Sequence, residues 1–144
     1  MKALIVDDEA RARAVLREML TRHAPDVAVL AEAASIAEAR TLIVQHAPEL
    51  VFLDVQMPGG DGFELLRELG TWDFDVVFTT ASSMHAIQAI RFSALDYLLK
   101  PVQADELRAA VGRHIQRNGT TPNEVQQGFL RNVEHHDEQA LKLT

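Results

Sequence analysis

The sequence predicts a doubly wound α/β domain: a five-stranded parallel sheet covered by five helices. Three observations lead there. Five short apolar runs alternate with five segments of helical period. The runs are apolar almost throughout, as strands buried on both faces are. The acids, hydroxyls and a lysine that could carry chemistry follow the C-terminal ends of those runs, where an open α/β sheet gathers its ligands.

The strands read as Ala3 to Val6, Val27 to Ala31, Leu50 to Leu53, Val76 to Phe78 and Tyr97 to Leu99, each short and bounded by polar or turn residues. Between the first two, Val15, Leu16, Met19 and Leu20 recur at helical spacing. The second helix opens on a capping box, Ser35 with Glu38, ahead of Ala39, Leu42 and Ile43, and Pro48 stops it. The third carries Phe63, Leu65, Leu66 and Leu69 and ends at Gly70. A fourth runs through Met84, Ile87 and Ile90, and a fifth through Leu107, Val111 and Ile115 after Pro101.

At 144 residues and 16.0 kDa, 47% hydrophobic, the chain suits one domain with a real core. Fourteen Lys plus Arg against 21 Asp plus Glu give a net charge of −7, the wrong sign for a nucleic-acid binder. Cysteine is absent, which excludes disulfides and thiolate metal sites. The opening MKALIV is too short for a signal peptide, and no run reaches the ~18 apolar residues of a membrane span. A soluble, cytoplasmic protein without membrane contact is expected. The domain occupies residues 1–118. Residues 119–144, beginning with the turn-rich GTTPNEVQQG, are expected to form a linker or an extra helix.

In a parallel sheet all strands end at one edge. Strand one delivers Asp7 and Asp8 there, strand three Asp54, strand four Thr79 and Thr80, strand five Lys100. Three carboxylates crowded together repel and need a counter-ion. Oxygen donors without His or Cys favour Mg²⁺, with Mn²⁺ as a second choice, and Mg²⁺ leaves room for phosphate oxygens. A carboxylate can then accept a phosphoryl group, provided the metal and a cation neutralise the incoming oxygens, and Lys100 is placed to be that cation. Singly, Asp7 reads as a helix cap, Thr80 as a turn residue and Lys100 as a surface charge; the agreement of four strand ends carries the joint reading. The run Leu50–Leu53 would hold Asp54 rigidly, while Pro58-Gly59-Gly60 turns the chain away and leaves the acid reachable.

The segments LIVDDEARARAVLREML, LVFLDVQMPGGDGFELL, VVFTTAS and ALDYLLKPV, in that order, resemble a bacterial response-regulator receiver domain over residues 2 to about 117. The resemblance implies a flavodoxin-like fold with strand order 2-1-3-4-5. It implies that Asp54 is the phosphoacceptor for the phosphohistidine of a sensor histidine kinase. Asp8 and Asp54 would ligate Mg²⁺ beside the backbone carbonyl of Gln56, with Asp7 completing the acidic pocket through water. Lys100 would pair with the phosphoryl oxygens, the Thr80 hydroxyl and the Ala81 amide would donate to them, and Tyr97 would be the switch aromatic. The Lys100–Pro101 bond would be cis. The face of helix four, strand five and helix five, including Ile87, Ile90, Phe92 and Leu95, would change shape and serve as a homodimer or partner surface; core packing is the competing reading for Ile87 and Ile90.

FTTASSMHAIQAIRFSALDYLLKPV is further similar to receivers of the LytTR type, in which a linker leads to a C-terminal DNA-binding domain. The terminal QALKLT resembles the start of that domain's first strand, so DNA would be bound only through a domain missing here. Ser82 stands where relatives often carry an aromatic, and with His85 it borders the pocket, where both would tune the lifetime of the acyl phosphate. His135 and His136 beside Asp137 read as a solvated face, and His23, His46 and His114 as residues near helix ends with surface or dipole roles. The expected role is signalling, not enzymatic. The competing readings are a receiver-like module that works without phosphorylation and an aspartyl-phosphate hydrolase of the haloacid dehalogenase type. The hydrolase would need a D-x-D pair on the first strand, where Asp7 and Asp8 are adjacent. A flavin carrier would need a hydroxyl-rich loop where DDEARAR stands.

Overall fold

A computed structural model describes residues 1–118, so the expected linker or helix at 119–144, with its histidine pair, lies outside the described residues. The sheet strands are β1 (Lys2–Val6), β2 (Ala28–Ala33), β3 (Leu50–Leu53), β4 (Asp75–Thr80) and β5 (Asp96–Leu99). The helices are α1 (Ala10–His23), α2 (Ile36–His46), α3 (Gly62–Leu69), α4 (Ala86–Arg91) and α5 (Ala104–Asn118). All sheet pairings are parallel, in the order β2-β1-β3-β4-β5, which is the flavodoxin-like arrangement. A two-residue antiparallel hairpin, Gln56–Met57 against Gly60–Asp61, is inserted between β3 and α3.

Strand alternation explains the apolar runs. Leu4, Val6, Val51, Leu53, Val76 and Phe78 point to one face, where they pack with Phe63 and Leu66 of α3 and Ala39 of α2. Ala3, Ile5, Leu50, Phe52 and Val77 point to the other, packing with Leu16 and Leu20 of α1 and Leu107, Ala110 and Val111 of α5. Burying a Leu or Phe side chain fully is worth about 1.5–3 kcal/mol, so β3, whose four residues are all fully buried, is anchored more firmly than any loop.

Half of the expected capping box forms: the Ser35 hydroxyl accepts from the Glu38 amide at 3.1 Å, while the Glu38 carboxylate reaches past the cap and accepts from the Ala34 amide at 3.4 Å. The fourth helix departs from expectation. Met84 belongs to a 3₁₀ turn, Ser83–His85, and both Met84 and Ile87 are exposed; the residue this short helix buries is Ala89. Val15 and Ile115 are likewise half exposed, because only a narrow stripe of α1 and α5 meets the sheet. Leu95, expected on an outer face, is a core residue, and Phe92 lies against Phe63 with ring centroids 5.2 Å apart. Among the described residues no helix is long and apolar enough to cross a membrane.

Candidate functional site

Register gathers the site. Val6 lies beside Leu53, Leu53 beside Phe78, and Thr80 beside Leu99. The residues that follow these positions therefore emerge at one edge: Asp7 and Asp8, Asp54, Thr79 and Thr80, Lys100. The ladder continues into the site itself, for the Asp54 amide donates to Val6 O at 2.9 Å, Asp7 N to Ala33 O at 3.0 Å and Lys100 N to Thr80 O at 2.8 Å. The Lys100–Pro101 peptide is cis.

The side chains converge as the register requires. Lys100 Nζ donates to Asp7 Oδ2 at 2.7 Å and to Asp54 Oδ2 at 3.0 Å. Asp7 Oδ1 accepts from the Glu9 amide at 2.9 Å, and Asp54 Oδ1 from the Gln56 amide at 3.2 Å. One oxygen each of Asp7, Asp8 and Asp54 lie within 4.8 Å of one another. Asp7 and Asp54 are buried while Asp8 is more open. Burial pushes the Asp54 carboxyl above its ordinary range, and Lys100 only partly offsets this. Burial opposes the charge on Lys100 too, yet its bonds to Asp7 and Asp54 outweigh it and hold the ammonium above its usual value. One ammonium does not compensate a buried acid fully, whereas two carboxylates more than compensate the lysine.

Three carboxylates facing one ammonium leave two negative charges unmet, and the donors are all hard oxygens. That set fits Mg²⁺ or Mn²⁺ and no softer metal. Beside the pocket, a groove of about 270 Å³ runs between α1 and the β5–α5 connection, with Val15, Met19 and Val102 on its walls and Asp7 and Lys100 among its lining residues.

Thr80 is fully buried, its hydroxyl accepting weakly from the Ser82 amide at 3.4 Å. Ala81 is exposed. Tyr97 is half-buried beside Phe78, and its hydroxyl donates to Ser82 O while accepting from the His85 backbone amide. Burial is the main reason that its phenol is pushed up to about 12. The Ser82 side chain caps the 3₁₀ turn through the Met84 amide, and the His85 ring packs over Phe63.

Two features escaped sequence reasoning. A Cβ at Gly62, a position the sequence does not single out, would sit 2.5 Å from Asp54 O and 3.0 Å from Leu53 Cγ, so α3 approaches the acceptor strand closely enough to demand glycine. His114, expected at the surface, is buried and bonded to Asp75 at 2.6 Å, with Arg117 on the other Asp75 oxygen at 3.0 Å and Arg113 on Asp96. Helix periodicity held the signal: His114 continues the stripe of Leu107, Ala110 and Val111.

Residues 3–112 match the family described as response regulator receiver domain. This chain belongs to that family. An uncharacterized response regulatory protein of Shewanella oneidensis is 39% identical over 133 residues, covering 92% of this chain and 55% of that protein. The sensory transduction protein LytT of Enterococcus faecalis is 35% identical, covering 83% and 50%, in keeping with the LytTR-type resemblance. The chain thus spans about half the length of the curated relatives it matches. Among solved structures, the BeF3-activated N-terminal receiver domain of Klebsiella pneumoniae RstA is 31% identical, with a TM-score of 0.70 over 81% of this chain and 99% of that one. The response regulatory domain of MrkE from the same species has a TM-score of 0.72 at 26% identity, covering 80% and 95%. Receiver domains of two-component response regulators are generally signalling modules that use Mg²⁺ at an acidic pocket, and the carboxylates of Asp7, Asp8 and Asp54 lie close enough together here to hold a metal ion.

Proposed function

We propose that this receiver accepts a phosphoryl group on Asp54 from the phosphohistidine of a sensor histidine kinase, in the presence of Mg²⁺. The observation that carries the reading is the bridge of Lys100 between Asp7 and Asp54 beside the open carboxylate of Asp8. Asp8, Asp54 and the backbone carbonyl of Gln56 would hold the metal, with Asp7 acting through water. When bound, the ion supplies charge neutralisation for the phosphoryl oxygens. An Asp54 carboxylate oxygen attacks phosphorus, the P–N bond of the donor breaks, and the released imidazole nitrogen keeps the electron pair and takes up a proton. Lys100 follows the negative charge from Asp54 to the phosphoryl oxygens. The groove between α1 and the β5–α5 connection, lined by Asp7 and Lys100, offers a kinase segment a seat beside the site.

The new acyl phosphate brings about −1.5 to −2 charge, and each hydrogen bond to it is worth about 1.5–3 kcal/mol. The Thr80 hydroxyl exchanges its long bond with the Ser82 amide for a phosphoryl oxygen, and the exposed Ala81 amide donates beside it. That exchange redraws the loop on which the Tyr97 hydroxyl rests, so the face of α4, β5 and α5 changes shape. Met84, Ile87 and Leu99 supply its exposed apolar surface, suited to a homodimer or to an output domain. Transcriptional output, with DNA held by a further C-terminal domain, and a cytoplasmic location complete the proposal. Beryllofluoride titrated with Mg²⁺ and followed by amide NMR tests it: shifts at Asp54, Thr80, Ala81 and Tyr97 that vanish in Asp54→Ala support it, and a silent spectrum refutes it. The hydrolase alternative predicts repeated turnover of a phosphomonoester, where the receiver forms one adduct.

A further inference from the structure

We propose that Arg13 is a positioning residue for the acidic pocket, fixing the Asp7–Asp8 peptide so that the Asp8 carboxylate faces the metal position; the inference rests on the Mg²⁺ reading above. Arg13 stands in the first turn of α1, and its Nη1 donates to the backbone carbonyl of Asp7 at 2.7 Å. Its Nε is bound to Glu32 on the edge strand β2 at 3.1 Å. The side chain is only 18% exposed, so these bonds are little screened. A planar guanidinium presents its donors in a fixed fork, and a lysine ammonium cannot span two acceptors lying in different directions in the same way.

The consequence follows from what already holds Asp7. Its amide is bound to Ala33 O, and its two carboxylate oxygens to the Glu9 amide and to Lys100. Its carbonyl is the remaining polar group, and Arg13 takes it. Because a peptide unit is planar, pinning that carbonyl also fixes the amide and Cα of Asp8. The Asp8 carboxylate itself has no protein partner among the described residues, so the backbone alone aims it. Glu32, shared between Arg13 and Arg17, balances the guanidinium charge beside the pocket.

The sign of the effect separates positioning from simple charge. A cation near a divalent-metal pocket repels the metal, so electrostatics alone makes Arg13→Ala bind Mg²⁺ more tightly. Positioning makes it bind more weakly, by roughly tenfold, the usual cost of losing a partner that orients a ligand. Arg17→Ala is the control, since Arg17 shares Glu32 but makes no bond to Asp7. Calorimetric titration of Mg²⁺ into the full chain, with no phosphodonor, is expected to show the tenfold weakening in Arg13→Ala, a smaller weakening in Arg13→Lys, and Arg17→Ala within about twofold of wild type or tighter. Arg13→Lys keeps the charge and serves as the reporter should Arg13→Ala fail to fold by circular dichroism. Equal or tighter binding by the folded Arg13 variants overturns the inference, as does an equal weakening in Arg17→Ala. A wild-type chain that takes up no Mg²⁺ overturns the metal reading itself and the inference with it.

Discussion

Substituting methionine for Lys100 keeps the length of the side chain and deletes its ammonium. The group lost sits 2.7 Å from Asp7 and 3.0 Å from Asp54, whose side chains are 4% and 7% exposed. Removing one partner of a buried pair costs about 3–5 kcal/mol, because the charge left behind is uncompensated. Lys100 itself is 23% exposed, so solvent trims the figure towards about 3 kcal/mol. For a domain of this size that is a fall in Tm of roughly 12 °C. The deficit is pH-dependent. Burial already holds the Asp54 carboxyl above its ordinary range and Lys100 pulls it back; without Lys100 the carboxyl rises further, and its protonation as pH falls relieves the repulsion with Asp7. Thermal melts at about pH 8 and about pH 5 should show a large gap between variant and wild type that narrows on acidification. Added Mg²⁺ should narrow it as well. A loss under about 1 kcal/mol at neutral pH, or one that is the same at both pH values, refutes the account of the charge balance.

The remaining expectations use the same measurements. Asp54→Asn removes a carboxylate whose burial outweighs its pairing, so it should stabilise the metal-free domain at neutral pH. The penalty of ionising Asp54 builds up between the ordinary carboxyl value and the raised folded one and is complete above the latter, so the variant's advantage should disappear as pH falls to the ordinary value of 3.8; an advantage that grows on acidification contradicts the direction of the shift. Gly62→Ala drives a Cβ onto Asp54 O and should cost about 1–3 kcal/mol in urea unfolding, with weaker Mg²⁺ binding. Gly60→Ala meets only the flexible end of Glu64 and should cost little. Asp75→Ala takes the shared acceptor away from His114 and Arg117 at the opposite edge of the sheet and should cost about 1–3 kcal/mol while leaving the Mg²⁺ affinity unchanged.

The sheet was legible because its central strands are buried on both faces and so consist of little else than apolar residues. β2 was misplaced by two residues at its far end because Glu32 interrupts the apolar run; on an edge strand that residue meets Arg13 and Arg17 of α1 instead of water. β4 runs on through Thr79 and Thr80, whose hydroxyls hid two buried positions. α4 was overread because Met84 and Ile87 have core-like character but lie where the sheet offers them no partner. The convergence of Asp7, Asp8, Asp54 and Lys100 followed from one topological rule, since parallel strands end together. Gly62 stays hidden for a different reason: it depends on the distance between α3 and a strand remote in sequence, which no local pattern encodes. His114 lies on the apolar stripe of α5, and what the sequence conceals there is its partner Asp75 on a distant strand.

Acetyl phosphate with Mg²⁺, read by intact mass and peptide mapping, tests phosphoryl acceptance most directly. Wild type should gain one phosphoryl mass on Asp54, stable in acid and lost in base, and Asp54→Ala should gain none. Equal labelling of the two proteins, or an unlabelled wild type, would contradict the assignment of Asp54 as the acceptor.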